Sequence, residues 1–312
     1  MSLESRPLLA LVGPTAVGKT TLSLGLAQRF RGEIVSADSR LFYRGLDIGT
    51  AKPTAAERTV APHHLIDIAG PDETVSLGQY RRLAGAAIDD VLARGRLPIL
   101  VGGTGQYVMA VVEGWGIPEV GPRPALRAAL ERLGGAEAAR WLAALDPAAA
   151  ARIDPRNVRR VVRALEVTLV SGRPISELQG KTPPPYDVRI VGLHRDRAAL
   201  YARIDTRVAE MMAAGLLDEV RRLADAGYAD APPLSGLGYR QLLAHLAGET
   251  TLDEAVARIQ FETHRFARQQ ATWFRADDSR IAWFEADDSA GVIAYVAAWL
   301  EAQGSRGAGE RG

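Results

Sequence analysis

Residues 13–20, GPTAVGKT, fit the pattern GxxxxGK[ST] and constrain the fold more than any other part of the sequence. They follow an apolar run at 8–12, typical of a buried strand, and precede a helical pattern with apolar residues at Leu22, Leu26 and Phe30. The glycines let backbone N–H groups turn inward toward an anion, while the helix N-terminus adds positive partial charge. Lys19 supplies a cation, and the Thr20 hydroxyl suits Mg²⁺. The alternative is an ordinary glycine-rich turn, but this context favours a phosphate loop (P-loop) for a diphosphate or triphosphate.

Strand-like and helix-like patterns alternate through the N-terminal third of the chain. A strand at 33–38 precedes a helix over 80–92, and a short apolar strand at 97–101 ends in a glycine-rich turn. This alternation predicts an α/β fold, in which a P-loop-containing parallel sheet is flanked by helices on both faces. Binding residues then belong at the carboxyl ends of the strands, where the phosphate loop, Asp38 and Thr104 fall.

The alternation of strand-like and helix-like patterns stops near residue 115 and resumes near residue 186. Proline- and glycine-rich stretches at 117–124 and 180–186 enclose Ala- and Arg-rich helical patterns, and an apolar strand follows. We therefore predict a catalytic core formed by residues 1–114 and 186–302, with an all-helical insertion at 115–185. Residues 303–312 are predicted to be a disordered tail.

The composition describes a soluble globular protein, with 47% hydrophobic and 24% charged residues. No apolar run approaches the length of a membrane span, so no membrane association is expected. Cysteine is absent, which excludes disulfides and zinc–thiolate sites and makes cytoplasmic residence the default. Because the net charge is only +1, any affinity for nucleic acid must come from local basic patches.

Three polar positions in the predicted core are candidates for chemistry. Asp38 could ligand Mg²⁺ or act as a general base, or it could simply cap a turn. Thr104 could present a hydroxyl to an anion, or it could belong to a tight strand-to-helix turn. No acidic residue ends the strand at 97–101, which weakens an ATPase or GTPase interpretation. His63 and His64 are adjacent and point apart, so a metal site there is not favoured.

Two segments are rich in arginine. Residues 152–173 hold six arginines, and helical spacing puts Arg156, Arg159, Arg160 and Arg163 largely on the outer side. A second basic helix is predicted over 256–275, where arginines are interleaved with Phe266, Trp273 and Phe274. Each is either a solvated charged face or a surface for the phosphate backbone of a nucleic acid, and the two aromatics at the end could be core.

Taken together, these stretches resemble the bacterial tRNA dimethylallyltransferase family. The resemblance covers about residues 8–285 and is most specific at 47–53, DIGTAKP. Its other motifs lie at 13–21, 36–39, 43–46, 63–67, 102–105, 159–167, 238–241 and 268–275. Departures occur at 40–42, at Gln106 and at 268–270, and they bear on recognition of the neighbouring bases rather than on the reaction.

The resemblance implies transfer of a dimethylallyl group from dimethylallyl diphosphate to the N6 amine of the adenosine 3′ to the anticodon. It implies diphosphate binding by Gly13, Thr15, Ala16, Val17, Gly18, Lys19, Thr20 and Thr21, with Mg²⁺ on Thr20 as cofactor. Asp38 would take the amine proton, Thr104 would line the site, and Arg240 would neutralise the leaving group.

The implied partner is the anticodon stem-loop of tRNA, bound by a monomer. The implied tRNA-binding residues are Asp38, Ser39, Arg40, Leu41, Thr104, Arg127, Arg159, Arg160, Val161, Val162, Arg163, His264, Arg265 and Arg268. Three other hypotheses stay open from the residues alone: a P-loop small-molecule kinase, an isopentenyltransferase acting on free adenylate, and a non-catalytic RNA-binding protein.

Overall fold

The computed structural model describes residues 6–309, with side chains as far as Gln303. Within this range six parallel strands form one sheet, in the spatial order β3-β2-β4-β1-β5-β6. The strands are β1 (Pro7–Val12), β2 (Gly32–Ser36), β3 (His63–His64), β4 (Leu97–Gly102), β5 (Asp187–His194) and β6 (Ile281–Glu285). Helices connect the strands, and the predicted α/β class with a parallel, helix-flanked sheet is confirmed.

The central strands are apolar along their whole length, because helices cover both faces of a parallel sheet. Leu8, Leu9 and Leu11 of β1 are completely buried, as are Ile99 and Leu100 of β4. The register pairs Val12 with Gly102 and Ser36 with Val101. The loops that follow β1, β2 and β4 therefore leave the sheet side by side at its carboxyl edge.

The helices of the core begin and end at defined signals in the sequence. Ser76, for example, accepts a hydrogen bond from the Gln79 N–H, and the Gln79 side chain accepts one from the Ser76 N–H. The core helices are α1 (Lys19–Phe30), α2 (Ala55–Val60), α3 (Leu77–Ala93), α4 (Gly105–Val112), α10 (Arg197–Ala213), α11 (Leu216–Leu223), α12 (Tyr239–Leu246), α13 (Leu252–Gln270) and α14 (Ser289–Gly309). A π-turn (Ala224–Tyr228) and a 3-10 turn (Pro232–Ser235) precede α12.

The described chain divides into two compact units, of which the second is Glu113–Pro184. This division lies beside the predicted limits of the insertion at 115 and 185. The second unit contains helices α5 (Pro124–Arg132), α6 (Gly135–Leu145), α7 (Pro147–Ala150), α8 (Val158–Ser171) and α9 (Ile175–Leu178). Leu130, Leu142, Val161, Leu165 and Ile175 form part of its own buried core.

Two helix ends differ from the prediction. The basic helix expected over 256–275 ends at Gln270, and Trp273 and Phe274 lie in the turn beyond it. The last helix continues to Gly309, where disorder was expected from residue 303; residues 310–312 lie outside the described range. Among the described residues no helix is both long and apolar enough to cross a membrane.

Candidate active site

The phosphate loop connects β1 to α1 and adopts a backbone that most side chains disfavour. Gly13 has φ +144° and Gly18 has φ +120°, and Ala16 also has a positive φ of 61°. A Cβ on Gly13 would lie 2.6 Å from the Leu193 carbonyl oxygen, so only glycine fits there. The two glycines therefore serve the loop geometry that the sequence motif predicts.

Lys19 begins α1 and folds back over the loop. Its Nζ donates to the carbonyl oxygens of Gly13 at 2.9 Å and Pro14 at 2.7 Å. Burial lowers its pKa to about 8, although the Asp38 carboxylate acts in the opposite direction and Arg207 adds to the lowering. A cation with a pKa this low gains markedly from an anion placed beside it.

Asp38 lies two residues beyond β2, at the carboxyl edge of the sheet. One carboxylate oxygen accepts a hydrogen bond from the Arg40 backbone N–H at 3.0 Å, which fixes the start of the following loop. Its negative charge acts on the pKa values of both Lys19 and Arg207. The structure thus places Asp38 close enough to the phosphate loop for its charge to act on Lys19, and its role as a base stays a prediction.

Arg207 is a functional candidate that the sequence analysis missed. It lies on α10, half-buried, and burial lowers the pKa of its guanidinium while Asp38 and Glu210 raise it. The signal available in the sequence was its position beside the buried stripe of Leu200, Ile204 and Val208. That spacing places Arg207 near the core, but it does not say which part of the core.

Thr104 opens the turn between β4 and α4. Its carbonyl oxygen accepts hydrogen bonds from the N–H groups of Tyr107 at 2.9 Å and Val108 at 3.2 Å, so it starts the helix. The neighbouring Gly103 carbonyl accepts from the Gln270 side chain, which also accepts from the Thr15 N–H. The Thr15 N–H is thus engaged within the protein, and its expected role in holding diphosphate stays a prediction.

Arg240 and Arg40 are both engaged by other parts of the core. Arg240 forms an ion pair with Glu262 of α13, and the same carboxylate accepts from the Gln241 amide at 2.8 Å. The Arg40 guanidinium donates to the Pro233 carbonyl at 2.8 Å, whereas the sequence placed it toward RNA. Its neighbours Ser39 and Leu41 are half-exposed on the loop after Asp38.

The arginines of α8, the basic helix of the insertion, are partly exposed to solvent and partly held in ion pairs. Arg159 and Arg160 are exposed, but Arg163 donates to Glu166 at 2.5 Å and Arg127 donates to the same carboxylate at 2.9 Å. The alternatives expected for this segment were a solvated face or a surface for nucleic acid. One fully buried carboxylate, Glu166, instead engages Arg163 of α8 and Arg127 of α5.

Val161 and Val162 were expected to contact tRNA, but the structure buries their side chains. Val161 is 1% exposed and Val162 is 2% exposed, because both face the core of the insertion. Helical spacing puts them on the face opposite Arg159 and Arg160. The family-like run at 159–167 therefore mixes core residues with surface residues.

The C-terminal half of α13 contains the remaining RNA-contact candidates. His264 Nε2 lies 2.9 Å from Asp205 Oδ1, and its ring stacks on Tyr201 with centroids 4.2 Å apart. Arg268 donates to the Tyr201 hydroxyl at 2.8 Å, while Arg265 is exposed. The structure thus places His264 in a packed aromatic contact and leaves the two arginines at the surface.

The DIGTAKP stretch has a supporting role in the structure. The buried Lys52 ammonium lies 2.6 Å from carboxylate oxygens of both Asp47 and Asp67. The Glu219 carboxylate accepts hydrogen bonds from three consecutive N–H groups of this stretch, at 2.8–3.1 Å. Asp67 is thus engaged by Lys52. Across the described residues no group of three or more His, Asp and Glu side chains could hold a metal.

Comparison with known proteins decides which family this arrangement represents. The family model described as IPP transferase matches residues 41–277, which is more than half of the chain. The chain belongs to the IPP transferase family. The predicted resemblance is confirmed, and the match includes Thr104 and Arg240, whereas the phosphate loop and Asp38 precede it.

Two similar proteins from other organisms are both named tRNA dimethylallyltransferase. A tRNA dimethylallyltransferase of Roseiflexus sp. (strain RS-1) is 61% identical over 274 residues, covering 86% of this chain and 90% of the relative. One from Chloroflexus aggregans (strain MD-66 / DSM 9485) is 56% identical over 273 residues, covering 86% and 92% of the two chains.

Solved structures of the family share the fold. The tRNA isopentenylpyrophosphate transferase of Bacillus halodurans superposes with a TM-score of 0.73 at 40% identity, covering 96% of this chain and 99% of its own. A eukaryotic dimethylallyltransferase acting on tRNA superposes with a TM-score of 0.80 at 27% identity, covering 91% and 75% of the two chains.

Proposed function

We propose that this family member transfers a dimethylallyl group from dimethylallyl diphosphate to the N6 amine of the adenosine 3′ to the anticodon of tRNA. The observation that supports this most is the shared electrostatic site of Asp38 and Lys19 at one edge of the sheet. A cation for the leaving diphosphate and a base for the amine are the two groups the reaction needs. The rest of the proposal assigns roles around that pair.

The phosphate loop holds the diphosphate of the donor. We assign the anion to the backbone N–H groups of the loop and the positive end of α1, and the Lys19 ammonium exchanges loop carbonyls for diphosphate oxygens. Arg207 adds a second cation in the same field. Because these groups are in place before reaction, they stabilise negative charge as the C–O bond to the dimethylallyl group breaks.

Asp38 accepts the proton of the acceptor amine. The N6 amine of adenosine is a poor nucleophile, so a carboxylate placed beside it contributes roughly 10²–10⁴-fold to the rate. The hydrogen bond from the Arg40 N–H holds one oxygen of this carboxylate in position. Thr104, at the end of the strand beside β2, would line the acceptor side of the site.

Mg²⁺ is the cofactor we propose. The Thr20 hydroxyl at the start of α1 and the Asp38 carboxylate are oxygen donors of the kind this ion prefers, and it usually also binds substrate phosphates and water. When bound, the ion would neutralise part of the diphosphate charge. Lys19 and Arg207 would share this task from the protein side.

For tRNA, we propose contacts in each unit separately. In the insertion, the exposed arginines Arg159 and Arg160 meet the phosphate backbone. In the core unit, Arg265 and Arg268 of α13 do the same. The target base must leave the stack of the anticodon loop to reach Asp38, and backbone contacts hold the RNA while it does so. Because one chain contains all these residues, we propose that it acts on tRNA as a monomer. We also propose that it does so in the cytoplasm.

A test is to offer two synthetic anticodon stem-loops that differ only at the nucleotide 3′ to the anticodon. With dimethylallyl diphosphate and Mg²⁺, the adenosine form should gain one dimethylallyl group, located by mass spectrometry on that nucleotide. The guanosine form, which lacks the N6 amine, should gain none. Equal modification of both forms would place the reaction elsewhere and refute the proposal.

A further inference from the structure

The side chain of Gln270, the last residue of α13, forms a hydrogen-bonded link between two loops of the active site. Its Oε1 accepts from the Thr15 N–H at 2.8 Å, and its Nε2 donates to the Gly103 carbonyl at 2.8 Å. The residue is only 5% exposed. The hydrogen bond to Gly103 is buried and the one to Thr15 is partly buried, so both are sensitive to the loss of either partner.

The two loops that Gln270 joins leave the sheet next to each other. The β1–β4 ladder ends with the pair Val12 and Gly102. Beyond that pair one chain becomes the phosphate loop and the other becomes the turn that contains Thr104. An added Cβ on Gly103 would lie 3.3 Å from the Gly13 carbonyl oxygen, so the two backbones approach closely there. The Gln270 amide joins them where the strand ladder no longer does.

An amide is the side-chain group this position requires. It offers one acceptor to the Thr15 N–H and one donor to the Gly103 carbonyl. A carboxylate of the same size keeps the acceptor but turns a second oxygen toward the carbonyl. A methionine of similar length has neither group, so it would leave the partly buried Thr15 N–H and the buried Gly103 carbonyl without this partner.

We propose that Gln270 is a positioning residue, which holds the phosphate loop and the Thr104 turn at the separation that prenyl transfer requires. This inference rests on the proposed function, in which one loop holds the donor and the other lines the acceptor side. Gln270 is also the last residue of α13, the helix that contains Arg265 and Arg268. The proposed RNA contacts and the phosphate loop are therefore connected through this helix. Its loss should therefore slow transfer more than it weakens tRNA binding.

The experiment compares Gln270→Glu and Gln270→Met with the control Gln269→Glu. Gln269 is the exposed neighbour on the same helix, so the control introduces the same charge away from the two loops. At saturating tRNA and dimethylallyl diphosphate, both Gln270 variants should lose about 10²-fold in kcat, the effect of a small misplacement of reacting groups. Their Kd for tRNA and the kcat of the control should stay near the wild-type values.

A pH series tests whether the hydrogen bond to the Gly103 carbonyl, rather than the shape of the side chain, sets the rate. As pH falls, the carboxyl of Gln270→Glu gains a proton and can again donate to the Gly103 carbonyl. The ratio of its kcat to the wild-type kcat should therefore rise toward acidic pH. The same ratio for Gln270→Met should stay flat, because methionine has no group to protonate.

The outcomes separate this inference from the proposed function. If neither the wild type nor Gln269→Glu transfers label to tRNA, the proposed function fails. If both transfer label and the Gln270 variants match them in kcat, the positioning role is refuted. A flat ratio for Gln270→Glu would also refute it, as would losses explained by a smaller folded fraction in thermal unfolding.

Discussion

Arg127 and Glu166 form a two-point ion pair inside the helical insertion: Nε and Nη2 of the guanidinium each lie 2.9 Å from a carboxylate oxygen. The carboxylate is fully buried and also accepts from the Arg123 backbone N–H at 2.6 Å and from Arg163 at 2.5 Å. One charge thus joins the start of α5 to the middle of α8. The insertion depends on it for shape before any RNA is present.

We predict that Glu166→Gln destabilises the protein. A neutral amide offers one acceptor oxygen to donors that now share two, and Arg127 and Arg163 lose the negative charge that they face. Because Arg127 and Arg163 remain about 40% and 36% exposed, the loss should be about 2 kcal/mol, below that of a fully buried pair. Urea unfolding measures it. The control Glu177→Gln, in an exposed pair with Arg173, should change stability by less than about 0.5 kcal/mol.

The lowered pKa of Glu166 predicts how the free energy of unfolding depends on pH. Burial by itself would raise the Glu166 pKa, but hydrogen bonds from Arg127, the Arg123 N–H and Arg163 lower it to about 2, from an ordinary value of 4.5. A lowered pKa means that the contribution is complete above pH 4.5 and is lost as pH falls toward 2. The stability difference between wild type and Glu166→Gln should shrink over that window. A difference independent of pH would contradict the assignment.

Lys19 predicts a pH dependence of donor binding. Burial lowers its pKa to about 8, so the free protein loses this charge as pH rises through that value. Diphosphate favours the charged form, and its affinity should therefore fall as pH increases above 8. Titration calorimetry with dimethylallyl diphosphate measures this. In Lys19→Met the affinity should be lower and should not change over the same range; a parallel pH dependence in the variant would assign it to another group.

Asp38→Asn should separate catalysis from binding. Asparagine retains an oxygen that can accept the Arg40 N–H, so the loop should keep its conformation. It cannot take a proton from the amine, and the rate of transfer should fall by roughly 10²–10⁴-fold. Single-turnover kinetics give the rate, and filter binding gives the Kd for tRNA, which should change little. Equal loss in both measurements would make Asp38 a structural residue.

The exposed arginines of α8 predict the salt dependence of tRNA binding. If Arg159 and Arg160 each meet a phosphate, each alanine variant should flatten the slope of log affinity against log salt by about one. Arg140→Ala is the matched control, because Arg140 is exposed in the same unit but forms an ion pair with Glu137. Its slope should equal that of the wild type. Unchanged slopes for Arg159→Ala and Arg160→Ala would remove α8 from the RNA surface.

The parts of the fold that local patterns specify could be predicted from the sequence. The phosphate loop follows from its spacing, and Asp38 and Thr104 follow from their places at strand ends. Alternation of strand and helix patterns was enough to predict a parallel sheet with an inserted helical segment. These features depend on residues that are close together in the chain, so their patterns can be recognised in a single sequence.

The residues that the sequence analysis missed act across long separations. Gln270 contacts Thr15 across 255 positions in the sequence. Arg207, on a helix that contains no recognisable motif, lowers the pKa of Lys19. Glu166 lies in the arginine-rich segment 152–173, but only its burial in the fold lets it bind several donors at once. Only tertiary packing decides such pairings, so composition and periodicity do not reveal them.

The central claim is prenyl transfer to tRNA, and the most direct measurement follows a radiolabelled dimethylallyl group. The full chain is incubated with labelled dimethylallyl diphosphate, Mg²⁺ and either unmodified tRNA or AMP, with ATP consumption followed in parallel. We expect label in tRNA and none in AMP. Label in AMP would indicate the free-nucleotide reaction, and ATP consumption without label in either acceptor would indicate a kinase; both results would contradict the account.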